Sequence, residues 1–367
     1  MLAASVQASL ELRTHAGAFE QLEKWLREQG FFAPGGEALV ADLYLGYGLS
    51  EAIRRQRSPR PPEPCAALPL LACALGGTRR EARRGLVTQR HKGFEVGAWE
   101  RTWTPGEYEG AVEEVRAAIA RGDVYQVNLV QHLEATFSGD PLAVALVLAP
   151  LSPTPPAPLA GDGWAIVSAS PELFLARRGR RVWTMPIKGT RPAGGAGDLE
   201  CSEKDAAEHV MIVDLERNDL SRLCEPGSVR WPELMATRRL AGVEHLVSTV
   251  EGTLREGVGL AEILAATFPG GSVTGAPKIA AVDLIAELEP VGRGASMGAL
   301  GRIHGNGDLD LALTIRTFAI AEGRIHLWVG GGVVWDSDPA AEVEESWTKA
   351  RPLLEALCAT RVEGSPA

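Results

Sequence analysis

Two apolar runs near the end of the sequence constrain the fold more than any other feature. Residues 309–320 and 324–335 are rich in β-branched and aromatic side chains, and only Glu322 and Gly323 fall near the turn between them. Such runs, joined by a turn that contains glycine, predict an antiparallel hairpin. Arg316 lies within the first run. A guanidinium inside an apolar strand requires a partner, either the carboxylate of a ligand or that of an internal salt bridge.

Helical patterns occur among the strand patterns without regular alternation. Residues 106–121 place Tyr108, Val112 and Val115 on one helical face, and an alternating strand pattern follows at 125–129. Further helices are predicted at 202–223, at 277–289 and from 337 onwards. Because strands and helices do not alternate as in a βαβ array, the pattern favours an α+β body of large antiparallel β-sheets flanked by helices.

Composition and charge exclude several classes of protein. The formal net charge is −10, and the basic cluster at 177–181 is short and isolated, whereas nucleic-acid binding requires a coherent positive face. No run approaches the ~18 apolar residues of a membrane-spanning helix. The five cysteines form no C-x-x-C pair, which is typical of a reducing compartment. We therefore expect a cytoplasmic protein that binds neither nucleic acid nor membranes.

Three glutamates on two predicted helices are candidate ligands of a divalent cation. Glu342 and Glu345 are three residues apart and hence on one helical face, while Glu208 lies on another helix. Carboxylates on facing helices form a hard-oxygen site that suits Mg²⁺. The spacing alone favours the alternative, a solvated helix surface on which Glu344 and Glu345 pair with Lys349.

Lys188 is a candidate nucleophile. It lies between apolar residues and Gly189, at the end of a predicted strand. Burial of a lysine favours the neutral form of its amine, which is the nucleophilic form. The alternative, which the spacing alone favours, is a lysine whose stem packs while its ammonium group reaches water.

Two glycine-rich segments offer their backbone to a ligand. The loop at 269–278 places N–H groups at a predicted helix start, which suits an anion, although its spacing is not that of a Walker loop. Gly330, Gly331 and Gly332 follow a strand pattern, so either a ligand approaches the backbone there or the strand is bulged. His245 is either a general acid or a core histidine.

Eight short motifs occur in a defined order between residues 104 and 358. They are Tyr-Gln-Val-Asn at 125–128, Ser-Pro-Glu-Leu-Phe at 170–174, Pro-Ile-Lys-Gly-Thr at 186–190, Asp-Leu-Glu-Arg-Asn-Asp-Leu at 214–220, Glu-His-Leu-Val-Ser at 244–248, Thr-Gly-Ala-Pro-Lys at 274–278, Leu-Thr-Ile-Arg-Thr at 313–317 and Gly-Gly-Gly at 330–332. Together they resemble the chorismate-utilising enzymes, a family of anthranilate, aminodeoxychorismate, isochorismate and salicylate synthases. The resemblance implies the α+β fold of that family. Residues 101–367 are then the chorismate-binding catalytic region, and residues 1–100 a divergent, shortened N-terminal part.

The resemblance also implies roles for individual residues. Glu208 and Glu345, with Glu342 beside them, match the Mg²⁺ ligands of the family. His245 matches the histidine near the C4 hydroxyl group that leaves chorismate. The predicted substrate-binding residues are Gly189, Thr190, Ser272, Thr274, Gly275, Lys278, Ser296, Arg316, Gly330, Gly331 and Gly332. Of these, Arg316 and the three consecutive glycines match the site of the enolpyruvyl carboxylate.

Position 188 separates the branches of the family. Anthranilate synthases have alanine there, which leaves room for ammonia at C2, whereas Lys188 is similar to the lysine of the aminodeoxychorismate branch. In that branch the lysine attacks C2 as the 4-hydroxyl leaves, and ammonia then adds at C4 and expels the lysine. Glu172 is the implied proton carrier. The alternatives are an anthranilate synthase, an isochorismate synthase with water as nucleophile, and a non-catalytic scaffold for a glutaminase.

Two further expectations concern the partner and one departure from the family pattern. The sequence contains no Gly-x-Cys-x-Gly nucleophile elbow, so we expect a separate glutamine amidotransferase subunit to supply ammonia. The usual Arg-Gly-x-Tyr-x-Gly motif reads Arg-Gly-Ala-Ser-Met-Gly at 293–298. Ser296 thus replaces an aromatic residue that contacts the enolpyruvyl carboxylate in the family, which puts that contact in doubt.

Overall fold

A computed structural model describes residues 8–56, 59–76, 93–152, 155–192, 203–240 and 243–358, with the main chain alone at 189–192, 203–205, 239–240 and 243–245. The helices are α1 Ala18–Glu28, α2 Pro105–Arg121, α3 Pro141–Leu148, α4 Glu203–Ser221, α5 Leu260–Thr267, α6 Lys278–Leu288 and α7 Pro339–Cys358, with short 3₁₀ helices at Tyr47–Ile53, Ala149–Leu151 and Gly271–Val273. The strands are β1 Ser9–Leu12, β2 Val40–Leu45, β3 Leu71–Leu75, β4 Phe94–Val96, β5 Glu100–Arg101, β6 Gln126–Gly139, β7 Leu159–Gly161, β8 Trp164–Ser168, β9 Leu173–Arg178, β10 Arg181–Met185, β11 Ile187–Pro192, β12 Arg230–Leu240, β13 Val243–Thr253, β14 Gly275–Ala276, β15 Ala299–His304, β16 Leu309–Leu313, β17 Thr317–Ala321 and β18 Arg324–Val333.

These strands form two large antiparallel sheets, which confirms the predicted α+β class. The first sheet has the order β1-β3-β2-β15-β16-β9-β10-β13-β11, and β12 also pairs with β13. The second has the order β14-β6-β18-β17-β8-β7, and both β4 and β5 pair with β6. Strands β1, β2 and β3, all from the first hundred residues, join the rest of the first sheet through the pairing of β2 with β15. Within the described residues, no helix combines the length and apolar character needed to cross a membrane.

The apolar run at 309–320 contains two strands instead of one. β16 belongs to the first sheet and β17 to the second, and β17 forms the predicted hairpin with β18. Glu322 and Gly323 adopt φ angles of 53° and 72° in its turn, the left-handed conformation that tight hairpins require. The prediction that Arg316 lies inside a strand is therefore wrong. Arg316 lies in the segment that passes from the first sheet to the second. Apolar character could not reveal this break, because the chain stays largely buried while it changes sheets.

Two apolar clusters hold the layers together. The larger contains residues of both sheets, such as Leu311 of β16 and Leu129 of β6. The smaller lies between the second sheet and helices α3 and α7, where Leu327 of β18 packs with Leu353 and Val144. Full burial of one such side chain stabilises the folded state by about 1.5–3 kcal/mol. The second sheet is therefore covered on both faces.

A buried ion pair connects α6 to the neighbouring elements. Arg293 and Glu289 are 1% and 4% exposed, and the guanidinium donates to both carboxylate oxygens at 2.8 and 2.6 Å. It also donates to the carbonyl groups of Val273 and Asn128 at 2.8 and 2.6 Å, and it lies over the ring of Tyr47. The Arg293 side chain thus connects the loop before α6 and strand β6 through hydrogen bonds, and it contacts the N-terminal part of the chain through the ring of Tyr47.

We expect Arg293→Met to lower the free energy of unfolding by about 3–5 kcal/mol, because it leaves the Glu289 carboxylate buried without its counter-ion. Urea unfolding followed by circular dichroism measures this loss. The matched control is Arg178→Met, which removes an ion pair with Asp310 whose side chains are 46% and 43% exposed and should cost less than about 1 kcal/mol. Equal losses in the two variants would contradict the role given to Arg293.

Candidate active site

Two segments pass from one sheet to the other side by side. One joins β8 to β9 and the other joins β16 to β17. The Ala169 N–H donates to the Arg316 carbonyl at 3.0 Å, and the Leu313 N–H donates to the Glu172 carbonyl at 3.0 Å. These backbone bonds place Glu172 and Arg316 together at the junction of the sheets.

Glu172 is a buried carboxyl group with a small set of donors. It is 6% exposed, and one of its oxygens accepts from the Ser272 hydroxyl at 2.8 Å and from the Ile187 N–H at 3.4 Å. Burial raises its pKa above the ordinary value of a glutamate, and the bond from Ser272 and the charges of Lys188 and Arg316 oppose this rise. A carboxyl group in such surroundings is suited to take up and release a proton.

The guanidinium of Arg316 makes no hydrogen bond or ion pair with the described part of the chain. Burial lowers its pKa, and the negative charge of Glu172 opposes this effect. Its backbone has a φ of 50°, a left-handed conformation that is rare outside glycine and that occurs at functional sites. An internal salt bridge is thus not found among the described residues. The predicted contact with a carboxylate ligand stays a prediction.

Lys188 lies on β11, next to a bulge. It faces Leu246 on β13, while Thr190 faces His245, so Gly189 is the extra residue of β11. The half-buried Lys188 is close enough for its charge to act on Glu172. The main chains of Thr190 and His245 are therefore adjacent, but their side chains lie outside what the structure describes. Their predicted roles stay predictions.

His209 is a functional candidate that sequence reasoning missed. It lies on α4, is 0% exposed, and its Nε2 is 2.5 Å from the Ser248 hydroxyl. Burial, with the positive charge of Lys188, lowers its pKa to about 4, so the ring is neutral at neutral pH. Its Nδ1 has no hydrogen-bond partner within the described residues. The helical pattern of α4 does not distinguish His209 from the other polar residues of that helix. Its partner Ser248, however, belongs to the motif at 244–248.

Glu216 is the second candidate that was missed. It lies within the motif at 214–220 and is 8% exposed. Burial raises its pKa well above the ordinary value, the charge of Glu172 raises it further, and a bond from Thr184 opposes them. One of its oxygens has no hydrogen-bond partner in the described ranges. Two interacting buried carboxyl groups, Glu172 and Glu216, therefore lie at this site.

Three of the predicted glycines lie against the start of β6. A Cβ atom on Gly275 would be 2.1 Å from the Gln126 carbonyl oxygen, one on Gly332 would be 2.1 Å from the Gln126 amide nitrogen, and one on Gly330 would be 1.9 Å from the Leu129 carbonyl oxygen. Only glycine fits at such distances. Gln126 is 1% exposed, and neither polar atom of its side chain has a partner among the described residues. Its amide is thus available to a ligand.

Two of the predicted metal ligands converge on Gly331. A Cβ atom there would be 2.9 Å from an oxygen of Glu345 and 3.4 Å from one of Glu342. The Lys349 ammonium donates to Glu345 at 2.7 Å and to the Gly330 carbonyl at 2.8 Å. The pairing with Lys349 is therefore present, but Glu342 is 4% exposed and does not belong to a solvated surface.

Glu208, the third predicted ligand, is half-buried on α4. Within the described residues it does not form, with Glu342 and Glu345, a set whose ligand atoms all lie within 4.8 Å of one another. The three carboxylates offer hard oxygen donors of the kind that Mg²⁺ prefers. Because Mg²⁺ keeps several waters in its shell, they need not all bind it directly.

Three other predicted substrate-binding residues bond within the protein. The Thr274 hydroxyl donates to carbonyl groups of its own loop, and the Lys278 ammonium donates to Asp219. The Ser296 hydroxyl donates to the Thr314 carbonyl at 3.3 Å, and Ser296 is 0% exposed. These bonds shape the walls of the site, and direct contact with the substrate stays a prediction.

Comparisons with known proteins agree with this geometry. The sequence profile of the chorismate binding enzymes matches residues 58–355. The chain is 41% identical to anthranilate synthase component 1 of Streptomyces coelicolor over 269 residues, which are 71% of this chain and 53% of that relative. It is also 41% identical to aminodeoxychorismate synthase component 1 of Klebsiella aerogenes over 269 residues, which are 71% of this chain and 60% of that relative.

The fold is similar to that of a solved relative as well. The structure of anthranilate synthase component I from Streptococcus pneumoniae superposes with a TM-score of 0.77 at 27% identity, over 90% of this chain and 84% of that one. In sequence, the chain matches little more than half the length of the two curated relatives, 53% and 60% respectively. The family profile nevertheless covers most of the chain, and the motifs that contain Glu172 and Arg316 meet at the junction of the sheets. The chain belongs to the family of chorismate binding enzymes.

Proposed function

We propose that this protein aminates chorismate at C4, the reaction of an aminodeoxychorismate synthase component 1. The identities do not decide the reaction, because a relative of each activity is 41% identical. The observation that carries the proposal is Lys188, a half-buried lysine whose charge acts on the buried carboxyl group of Glu172. An anthranilate synthase has no use for an amine at this position, since its ammonia adds directly to the ring.

The proposed reaction has two displacements in which Lys188 first enters and then leaves. Its amine forms a bond to C2 of chorismate, the ring double bond shifts, and the C4–O bond breaks, so that the hydroxyl leaves as water with a proton taken from solvent. Glu172 takes the proton that the amine loses. Ammonia then forms a bond to C4, the double bond shifts back, and the C2–N bond breaks. Glu172 returns the proton to the departing amine, so that Lys188 and Glu172 are regenerated.

The remaining groups of the site would orient the substrate. The guanidinium of Arg316, which has no hydrogen-bond or ion-pair partner among the described residues, suits the enolpyruvyl carboxylate, because a planar donor pair and a carboxylate form two parallel hydrogen bonds. The side-chain amide of Gln126, also without a partner in the described ranges, offers its NH₂ group as a donor and its oxygen as an acceptor to the ring region. The absence of a side chain at Gly332 leaves room for the Gln126 amide, since a Cβ atom there would be 2.1 Å from the amide nitrogen.

We further propose that Glu208, Glu342 and Glu345 hold Mg²⁺. When bound, the ion would supply the positive charge that binds the ring carboxylate and stabilises the departing hydroxyl. Glu342 is buried beside Gly331, and a buried carboxylate is usually hydrogen-bonded, ion-paired or bound to a metal ion. Lys349 supplies a positive charge to Glu345. These contacts support a cation site at this end of β18.

Ammonia would come from a separate glutamine amidotransferase subunit. The name "component 1" of the relatives implies a further component in those enzymes. The proposal requires that ammonium salts replace glutamine when this chain acts alone.

Anthranilate synthesis is the second candidate, favoured by the equal identity to an anthranilate synthase. One assay separates the two. The purified chain is incubated with chorismate, Mg²⁺ and ammonium, an aminodeoxychorismate lyase is added, and the products are resolved by chromatography with fluorescence detection. The appearance of p-aminobenzoate only after the lyase supports C4 amination, whereas lyase-independent anthranilate supports the second candidate.

We expect Lys188→Ala to lower the rate of aminodeoxychorismate formation at least about 10²-fold, because the covalent route is lost. The cavity left by the side chain should admit ammonia to C2 and release traces of anthranilate. The matched control is Lys24→Ala on α1, whose side chain is 80% exposed. A Lys188→Ala protein with the wild-type rate would remove the basis of the proposed mechanism.

We expect Ser272→Ala to move the ascending limb of the pH–rate profile to higher pH. Glu172 must be ionised to accept a proton, so activity rises as pH passes its pKa. The Ser272 hydroxyl stabilises the ionised form, and its loss should raise the pKa of Glu172. Ser170→Ala is the control, because that hydroxyl accepts from the main-chain N–H of Glu172 and does not contact its carboxyl group. A limb that shifts equally in both variants would argue against Glu172 as the base.

We expect Arg316→Ala to raise the KM for chorismate steeply, by an amount equivalent to about 2–5 kcal/mol, because the enolpyruvyl carboxylate would lose the paired hydrogen bonds of the guanidinium. Arg316→Lys should recover part of the loss, since it restores the charge without the paired geometry. Steady-state kinetics with circular dichroism as a folding check provide the measurement, and the exposed Arg121→Ala serves as the control. An unchanged KM in folded Arg316→Ala would show that the guanidinium does not bind chorismate.

A further inference from the structure

Three side chains with metal-binding atoms meet on the second sheet, away from the proposed active site. Strands β6 and β18 pair so that His132 faces Trp328 and Glu134 faces His326. His132 and His326 are therefore diagonal neighbours on one face, with Glu134 beside them. This face is opposite α7, because Leu327, the neighbour of both His326 and Trp328, packs in the cluster with that helix.

The distances within the cluster match those of a metal site. His132 Nε2 lies 3.1 Å from His326 Nδ1, and His326 Nδ1 lies 3.4 Å from an oxygen of Glu134. All three ligand atoms are within 4.8 Å of one another. Nitrogen and oxygen ligands about 2.0–2.1 Å from a tetrahedral Zn²⁺ are about 3.3 Å apart. An ion between these atoms would thus require only small shifts.

Two of the three ligands already have the outer partners that metal ligands usually have. The second ring nitrogen of His132 is 2.7 Å from the Thr102 hydroxyl, which leaves Nε2 to face His326. The guanidinium of Arg324 forms an ion pair with the other oxygen of Glu134, with 2.8 Å between its Nη2 and that oxygen. Such outer bonds fix the tautomer of a histidine and the orientation of a carboxylate before the metal binds.

The two imidazole rings are held in place by their surroundings. Burial lowers the pKa of His132 to about 3 and is the main cause that lowers that of His326. The rings are stacked, with centroids 5.3 Å apart, and the ring of His132 lies 4.8 Å from that of Trp328. This packing restricts their rotation. The Glu134 side chain is 29% exposed and leaves a route from solvent to a fourth coordination position.

We propose that His132, Glu134 and His326 form a binding site for a borderline divalent transition metal, Zn²⁺ in the first place. Two imidazoles and one carboxylate with an open fourth position are typical ligands for such an ion and unsuited to Mg²⁺, which prefers oxygen donors. The bound ion would cross-link β6 to β18 and, through Thr102, to the segment that precedes α2. The site is distinct from the carboxylates on α7, since it lies on the other face of β18.

Titration of the chelator-treated full chain with Co²⁺, in the absence of chorismate, tests the site. We expect one Co²⁺ per chain with the visible absorption of a four-coordinate ion, displaced by Zn²⁺ but not by a large excess of Mg²⁺. Glu134→Gln, a nearly isosteric change at a partly exposed position, should weaken Co²⁺ binding at least about 10-fold. His132→Ala and His326→Gln should abolish the absorption. His304→Ala, on β15 of the other sheet, should bind Co²⁺ like the wild type.

Thermal unfolding with and without Zn²⁺ supplies an independent measurement. Zn²⁺ should raise the Tm of the wild type and of His304→Ala, but not that of Glu134→Gln. Absence of four-coordinate Co²⁺ absorption in the wild type would overturn the proposal. So would an unchanged affinity in a folded Glu134→Gln protein, because the ion would then be bound elsewhere, for example at the exposed Cys358. Neither result depends on the enzymatic reaction.

Discussion

The buried ion pair of Arg293 and Glu289 is the interaction on which the arrangement of the site depends. Removing two charges from water costs several kcal/mol for each, and only good geometry with further hydrogen bonds offsets that cost. Here the guanidinium also bonds the carbonyl groups of Val273 and Asn128, while Glu289 accepts from the Val130 N–H. The loop with Ser272 and the strand with Gln126 are thereby fixed to each other. The position of Glu172, which bonds Ser272, follows from that connection.

Around this rigid pair, the proposed active site contains buried polar groups that the protein itself leaves without partners. The amide of Gln126, one oxygen of Glu216 and one ring nitrogen of His209 make no hydrogen bond within the described residues. Each such group destabilises the free protein by about 1–3 kcal/mol. A ligand that forms hydrogen bonds with these atoms removes that penalty. The relief of the penalty then contributes to the free energy of ligand binding. The apolar clusters on both faces of the second sheet supply the stability that makes this possible.

Local sequence patterns predicted the elements but not their contacts. The hairpin of β17 and β18 follows from two β-branched runs and the Glu322–Gly323 turn, and α2 follows from the spacing of Tyr108, Val112 and Val115. The break in the run at 309–320 was not predictable, because residues on both sides of Arg316 are buried alike. The burial of His209 and Glu216 depends on what packs against α4, and no periodicity reports that. The motifs identified Glu172, Lys188 and Arg316 as a set only through their resemblance to a family.

The two adjacent segments that cross between the sheets hold one part of the site through main-chain hydrogen bonds. Another part of the site lies on an end strand, where a substitution of the side chain is tolerated more easily. Glu172 and Arg316 are bonded through the main chain of both crossings, so their separation does not depend on any side chain. Lys188 instead projects from β11, which ends the first sheet and pairs with β13 alone along the strand order. A substitution at an end strand disturbs few neighbours. Evolution can therefore exchange the residue at this position while the main-chain bonds that hold Glu172 and Arg316 remain as they are.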